Sequence, residues 1–146
     1  MKTQDFSTTV MVEQTPETAY RTILDVRSWW SGLYDESFEG NSAQLGDEFS
    51  FLAGGGVHFT RQKLVELVPG KKVVWLVTEA NLSFVDKTDE WEGTKICFDI
   101  SGEQGKTKIV FTHQGLVPEF ECYDSCAPAW TQYLQERLIA AIKNNN

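Results

Sequence analysis

The feature that most constrains this chain is a change in hydrophobic period. From residue 47 to residue 113 apolar side chains mostly recur at every second position, and from Trp130 onward they recur every third or fourth. A period of two builds half-buried strands, and a period of 3.6 builds one amphipathic helix. Residues 47–53 place Phe49 and Phe51 on one face. Residues 57–68 form a long strand whose alternation slips around Gln62 to Leu64, which predicts a bulge. Residues 72–79 bring Val73, Trp75 and Val77 into phase. Residues 94–101 do the same for Ile96, Phe98 and Ile100, and residues 106–113 for Ile109, Phe111 and His113. Turn residues separate these runs at 54–56, 69–71 and 102–105. The triple glycine at 54–56 is not read as a phosphate loop, because no strand–loop–helix context surrounds it. Residues 81–93 form a polar connection that carries Leu82, Phe84 and Trp91.

The ends of the chain complete the pattern. Residues 6–13 alternate as a first strand. Thr15 then caps a helix with Pro16 in its first position, where a missing N–H is harmless. Tyr20, Ile23 and Leu24 make its apolar stripe, and a second short helical turn runs over 26–30, closed by Ser31 and Gly32. At the C-terminal end Trp130, Leu134, Leu138, Ala141 and Ile142 share one helical face, with Tyr133 and Arg137 beside them. Pro128 allows two readings. Either it kinks a helix that begins near Glu119, or it sits in the first turn of one capped by Asp124 or Ser125.

Strands in sequence followed by a helix imply an α+β domain with an antiparallel sheet. The chain of 146 residues is read as one domain over 1–146, with an ordered core of about 6–142. A curved sheet of about six strands would wrap the long C-terminal helix, with two short helices after the first strand. A curved sheet and a straight rod differ in shape, so a cavity between them is expected.

Charge narrows the partners. The formal net charge is −8 and the basic residues are scattered, so no stripe tracks phosphates. No nucleic acid and no anionic membrane are expected. No apolar run has bilayer length, and residues 1–6 carry no signal-peptide core, so a cytoplasmic location is the expectation. The cysteine count of three is odd and argues against a disulfide framework. Cys97, in a strand pattern, reads as a small buried hydrophobe.

The stretch from His113 to Cys126 concentrates His113, Cys122, Cys126, Glu119, Glu121 and Asp124. A closed zinc site needs four ligands, usually in close pairs, and no Cys-x-x-Cys is present, so no metal is assigned. A Cys–His nucleophile needs a contact that the spacing does not demand. No catalytic residue and no cofactor are assigned. His113 is in phase with Ile109 and Phe111. It either faces a cavity, where it orients a ligand or exchanges a proton, or holds the strand-to-helix corner through a backbone hydrogen bond.

Several local motifs stand in a fixed order: Pro16-Glu17-Thr18-Ala19-Tyr20, Trp29-Trp30, and Leu67-Val68-Pro69-Gly70-Lys71-Lys72-Val73-Val74-Trp75. Phe111-Thr112-His113-Gln114-Gly115-Leu116 and Ala129-Trp130 with Tyr133-Leu134 complete the set. With the order of elements, they resemble the START-like (SRPBCC) superfamily with its helix-grip fold, and within it the family of the C-terminal domain of the activator of the heat-shock-protein-ninety ATPase. The likeness covers roughly residues 6–142. It implies a cavity for a small hydrophobic or aromatic molecule, and the expected lining is Trp30, Phe49, Phe51, Phe59, Trp75, Phe98, Phe111, His113, Trp130, Tyr133 and Leu134. The alternatives are a cyclase- or hydrolase-type enzyme using that pocket, or a module that regulates a chaperone ATPase. The namesake co-chaperone has a separate N-terminal domain, whereas this chain opens on its first strand, so chaperone activation is not the expectation.

Overall fold

The computed structural model describes residues 5–83, 85–118, 120 and 123–144. Phe84, Glu119, Glu121 and Cys122 lie outside the described residues. Strand β1 (Phe6–Val12) leads into α1 (Pro16–Leu24) and the one-turn α2 (Val26–Trp29). Then come β2 (Ser37–Gly40), β3 (Glu48–Ala53), a 3-10 turn (Gly54–Gly56), β4 (His58–Val68), β5 (Lys72–Leu82), β6 (Lys95–Glu103) and β7 (Lys106–Gln114). The C-terminal helix is continuous. It comprises α3 (Tyr123–Gln132), a π-helical segment (Tyr133–Leu138) and α4 (Ile139–Asn144). Among the described residues no helix is long and apolar enough to cross a membrane.

The strands form one seven-stranded sheet in the order β1-β7-β6-β5-β4-β3-β2, with every neighbour antiparallel. Consecutive strands are neighbours except at β1, which closes against β7 and pairs Phe6 with His113. The strand beyond the expected six is β2. Four residues are too few to show a period, and Phe38, paired opposite Phe51, is its one inward aromatic.

Local chemistry explains the remaining features. Thr15 Oγ1 accepts from the Thr18 N–H at 3.2 Å and caps α1, with Pro16 in the first turn as expected. The bulge is present and is double. Thr78 of β5 is skipped between the pairs Arg61–Glu79 and Gln62–Val77, and Val65 of β4 is skipped between Leu64–Trp75 and Glu66–Val74. Each skipped residue shifts the side-chain phase by one and sharpens the twist, which curls the sheet around the helix. Pro128 lies inside α3, so Asp124 and Ser125 are helical residues and not caps. This is nearer the first of the two readings, with the described part of the helix beginning at Tyr123.

Most of the space between sheet and helix is filled by aromatic rings. Trp29 stacks on Trp30 at 5.7 Å between centroids and meets Phe98 edge-on at 5.5 Å. Phe98 packs on Phe111 at 5.1 Å, and Phe111 on Trp130 at 4.7 Å. Burial of these large side chains supplies the main stabilisation, at about 25 cal/mol per Å² of apolar surface. Among the described residues, the space expected between the curved sheet and the helix remains open near the N-terminal half of the C-terminal helix.

Candidate binding site

That opening is a cavity of about 150 Å³. Trp30 and Tyr34 wall it from the loop after α2. Phe51, Ala53, Gly54, Val57 and His58 enclose it from β3, the 3-10 turn and the start of β4. Trp91 comes from the β5–β6 connection, and Ser125, Cys126, Ala129, Trp130 and Tyr133 from the C-terminal helix. The indoles of Trp91 and Trp130 stack at 5.9 Å and 12°. Trp30 stacks on Phe51 at 4.4 Å and 19°, and leans on Trp130 at 5.0 Å.

Of the residues expected to line a pocket, Trp30, Phe51, Trp130 and Tyr133 line this one. Phe49, Trp75, Phe98, Phe111 and Leu134 are buried in the core behind it. Phe59 points to the other face of the sheet. Its register partners Leu52 and Asn81 are exposed, while Thr60 beside it is fully buried.

His113 is buried and does not line the cavity. The Trp130 Nε1–H donates to its Nδ1 at 3.0 Å. The ring proton therefore sits on Nε2, which donates to Thr94 Oγ1 at 2.8 Å. Thr94 in turn donates to the Trp91 carbonyl at 2.6 Å. The chain of donors uses both imidazole nitrogens, so His113 is a neutral brace behind Trp91 and Trp130. Burial, reinforced by His58, pushes its pKa down to about 3. The imidazole is held through this side-chain relay and not through a backbone partner, while the His113 carbonyl accepts from the Leu116 N–H at 3.1 Å.

His58 is the second neutral imidazole. It meets Phe51 and Trp91 edge-on at 5.4 and 4.9 Å, and burial lowers its pKa to about 4. Sequence reasoning gave no lining role to His58, Tyr34, Gly54, Val57 or Trp91, because they come from loops and strand ends that only the fold brings together.

The loop after α2 is clamped to the helix by Glu36. Its carboxylate accepts from the Gly32, Leu33 and Tyr34 N–H groups at 2.8, 3.3 and 3.0 Å, and from the Tyr133 hydroxyl at 2.5 Å. Burial alone would raise the Glu36 pKa, but the donated hydrogen bonds prevail and hold it below the usual value. Burial and the bond to Glu36 push the Tyr133 hydroxyl pKa up. Arg137 Nε adds a bond to the Ser31 carbonyl at 2.9 Å. Tyr133 opens the π-helical segment, a type of irregularity that often accompanies functional sites.

Glu36→Gln is expected to lower stability by about 1 kcal/mol at pH 7, or about 3 °C in the thermal midpoint, since charge-assisted bonds weaken to neutral ones at a half-exposed site. The Glu36 carboxylate has a depressed folded-state pKa, so its contribution is complete above the ordinary value of 4.5 and is lost as pH falls through the folded value. Thermal melts of both proteins at pH 7 and below pH 4 check this. The difference should fade in acid.

Among the described residues no group of three His, Cys, Asp or Glu side chains is placed to hold a metal ion.

A curved antiparallel sheet gripping a C-terminal helix defines the class: a START-like α+β domain of the helix-grip type. The sequence pattern of the family described as Activator of Hsp90 ATPase homolog 1-like protein matches residues 7–143, and the chain belongs to that family. The fold is similar to the Aha1 dimer of Colwellia psychrerythraea, with a TM-score of 0.69, 22% identity and coverage of 90% of each chain. It is also similar to a protein of Chromobacterium violaceum, with a TM-score of 0.72, 19% identity and coverage of 94% of this chain and 96% of that one. A protein of Mesorhizobium loti gives a TM-score of 0.69 at 16% identity over 96% of this chain and 98% of its own. No curated protein sequence matches this one.

Proposed function

We propose that this protein binds a small planar aromatic molecule and inserts a ring among Trp30, Phe51, Trp91 and Trp130. The observation that carries the reading is an apolar cavity of about 150 Å³ walled by aromatic faces. An apolar cavity of this volume matches a benzene-sized group. A larger ligand would leave its remainder at the rim, where Tyr34 and Val57 are exposed by 42% and 41%. Burying about 150 Å² of ring surface is worth about 4 kcal/mol before the cost of association, so a single ring should bind no more tightly than about millimolar.

Binding is favoured over catalysis by the state of the lining groups. The Tyr133 hydroxyl is engaged by Glu36 and has a raised pKa, and His58 is held neutral with a lowered one. Neither is poised to exchange a proton near neutral pH. The test is calorimetry and thermal unfolding with benzene, indole, naphthalene and a straight-chain fatty acid. Planar aromatics should raise the thermal midpoint and quench tryptophan fluorescence, with two rings stronger than one. No shift with any aromatic, or a stronger response to the fatty acid, would overturn the reading.

A further inference from the structure

The inward face of β4 carries a polar pair that the core does not satisfy. Thr60 and Gln62 are both fully buried at 0% exposure. Gln62 Nε2 donates to Thr60 Oγ1, while Gln62 Oε1 is buried with no hydrogen-bond partner. A buried amide oxygen left unpaired costs about 1–3 kcal/mol, and its neighbours along the inward face, Leu64 and Val77, show that an apolar residue fits this environment. Across the ladder Gln62 pairs with Phe49, and Thr60 with Phe51. Both of those rings touch Trp30, at 6.0 and 4.4 Å between centroids. Trp30 also lines the open cavity. Its indole is thus shared between the opening and the aromatic cluster beside the unsatisfied amide. It follows directly on the single turn of α2, and Gly32, at φ +88°, comes two residues later.

We infer that Thr60 and Gln62 form the polar floor of a site for fused-ring aromatic alcohols, reached when the Trp30 indole swings aside and the ligand's rings take its place. The inference rests on the aromatic-binding role proposed above. Trp30 is itself a fused two-ring system, so its volume and stacking partners define the shape of the ligand it stands in for. The ligand's hydroxyl pairs with the Gln62 amide. A hydroxyl both donates and accepts, so it satisfies the amide whichever of its two atoms faces the ligand.

The test compares 2-naphthol with 2-methylnaphthalene, which has the same shape and no hydroxyl, by titration of the full chain. The wild-type protein should bind 2-naphthol about tenfold more tightly, the ratio expected of one hydrogen bond to an otherwise unpaired buried group. Gln62→Leu should reduce the ratio to near one and still bind 2-methylnaphthalene. Gln62→Met, unbranched and close in length, carries the same test if leucine disturbs the fold. Trp30→Ala, which removes one wall of the outer cavity but clears the way to the amide, should preserve the preference for 2-naphthol. If both compounds bind with equal affinity to the wild type and to Trp30→Ala, or if the preference survives in the Gln62 variants, the polar floor is overturned and the aromatic-binding reading stands. If neither compound binds to either protein, both are overturned.

Discussion

Lowering the pH from 6.5 to 4.5 should destabilise this protein by about 2–4 kcal/mol, a large share of the roughly 5–15 kcal/mol that holds a typical domain folded. The cause is a pair of neutral imidazoles, His113 fully buried in the core and His58 half-buried on the cavity wall. His113 and His58 have folded-state pKa values lowered to about 3 and about 4, against an ordinary value of 6.5. Their folded values lie below the unfolded one, so the unfolded chain takes up protons first as pH falls. Stability is complete above pH 6.5 and declines at up to about 1.4 kcal/mol per pH unit for each histidine. The decline stops only near the folded values. His113 cannot accept a proton on Nδ1 without breaking the bond from Trp130 Nε1, and its Nε2–H is already committed to Thr94. Urea unfolding at pH 7.5 and at pH 5 measures the slope. A midpoint unchanged between them would contradict the neutral-imidazole account, and the double variant His58→Phe, His113→Gln should flatten the profile.

Trp130→Ala should cost about 5 kcal/mol and lower the thermal midpoint by more than 10 °C. The Trp130 ring touches Trp30, Trp91, Phe111, His113 and Tyr133. Removing it opens a void among aromatic groups that cannot collapse onto one another, which places the change at the upper end of core truncations. It also strips His113 Nδ1 of its donor inside the core. Trp130→Phe separates the two effects. It keeps most of the packing and loses the N–H, so it should cost about 2 kcal/mol. Chemical unfolding of both variants decides it. A Trp130→Ala protein within 1 kcal/mol of the wild type would show that this indole is not the post on which cavity and core rest.

What was legible in the sequence follows from where periodicity is strong. The change of period, the Thr15-Pro16 helix start and the slipping alternation around Gln62 each have a local physical cause, and each has its counterpart in the fold. Phe59 shows where periodicity misleads. The inward set on β4 is His58, Thr60, Gln62 and Leu64, so the first three inward positions are polar and an apolar count there assigns the phase to the wrong side. β2 is too short to register. Trp30, Phe51, Trp130 and Tyr133 belong to the lining that the family likeness implies, and inward phase alone does not separate them from Phe49, Trp75, Phe98 and Phe111 in the core. The rim could not be named, since Tyr34, Val57, His58 and Trp91 lie far apart in sequence and converge only through the sheet's curl. His113 was visible as an inward polar residue, but its engagement depends on Thr94 and Trp130, which no spacing rule connects.

The central claim is that an aromatic ligand enters among Trp30, Trp91 and Trp130. The chain contains five tryptophans, each with its own indole N–H resonance. Titration with naphthalene followed by two-dimensional ¹⁵N–¹H NMR reads them separately. The Trp30, Trp91 and Trp130 resonances should shift progressively and saturate. Trp75, whose Nε1 is bonded to Ser42 Oγ at 3.0 Å away from the cavity, should stay in place. Unmoved resonances for the three cavity indoles at saturating naphthalene, or shifts spread equally over all five, would contradict it.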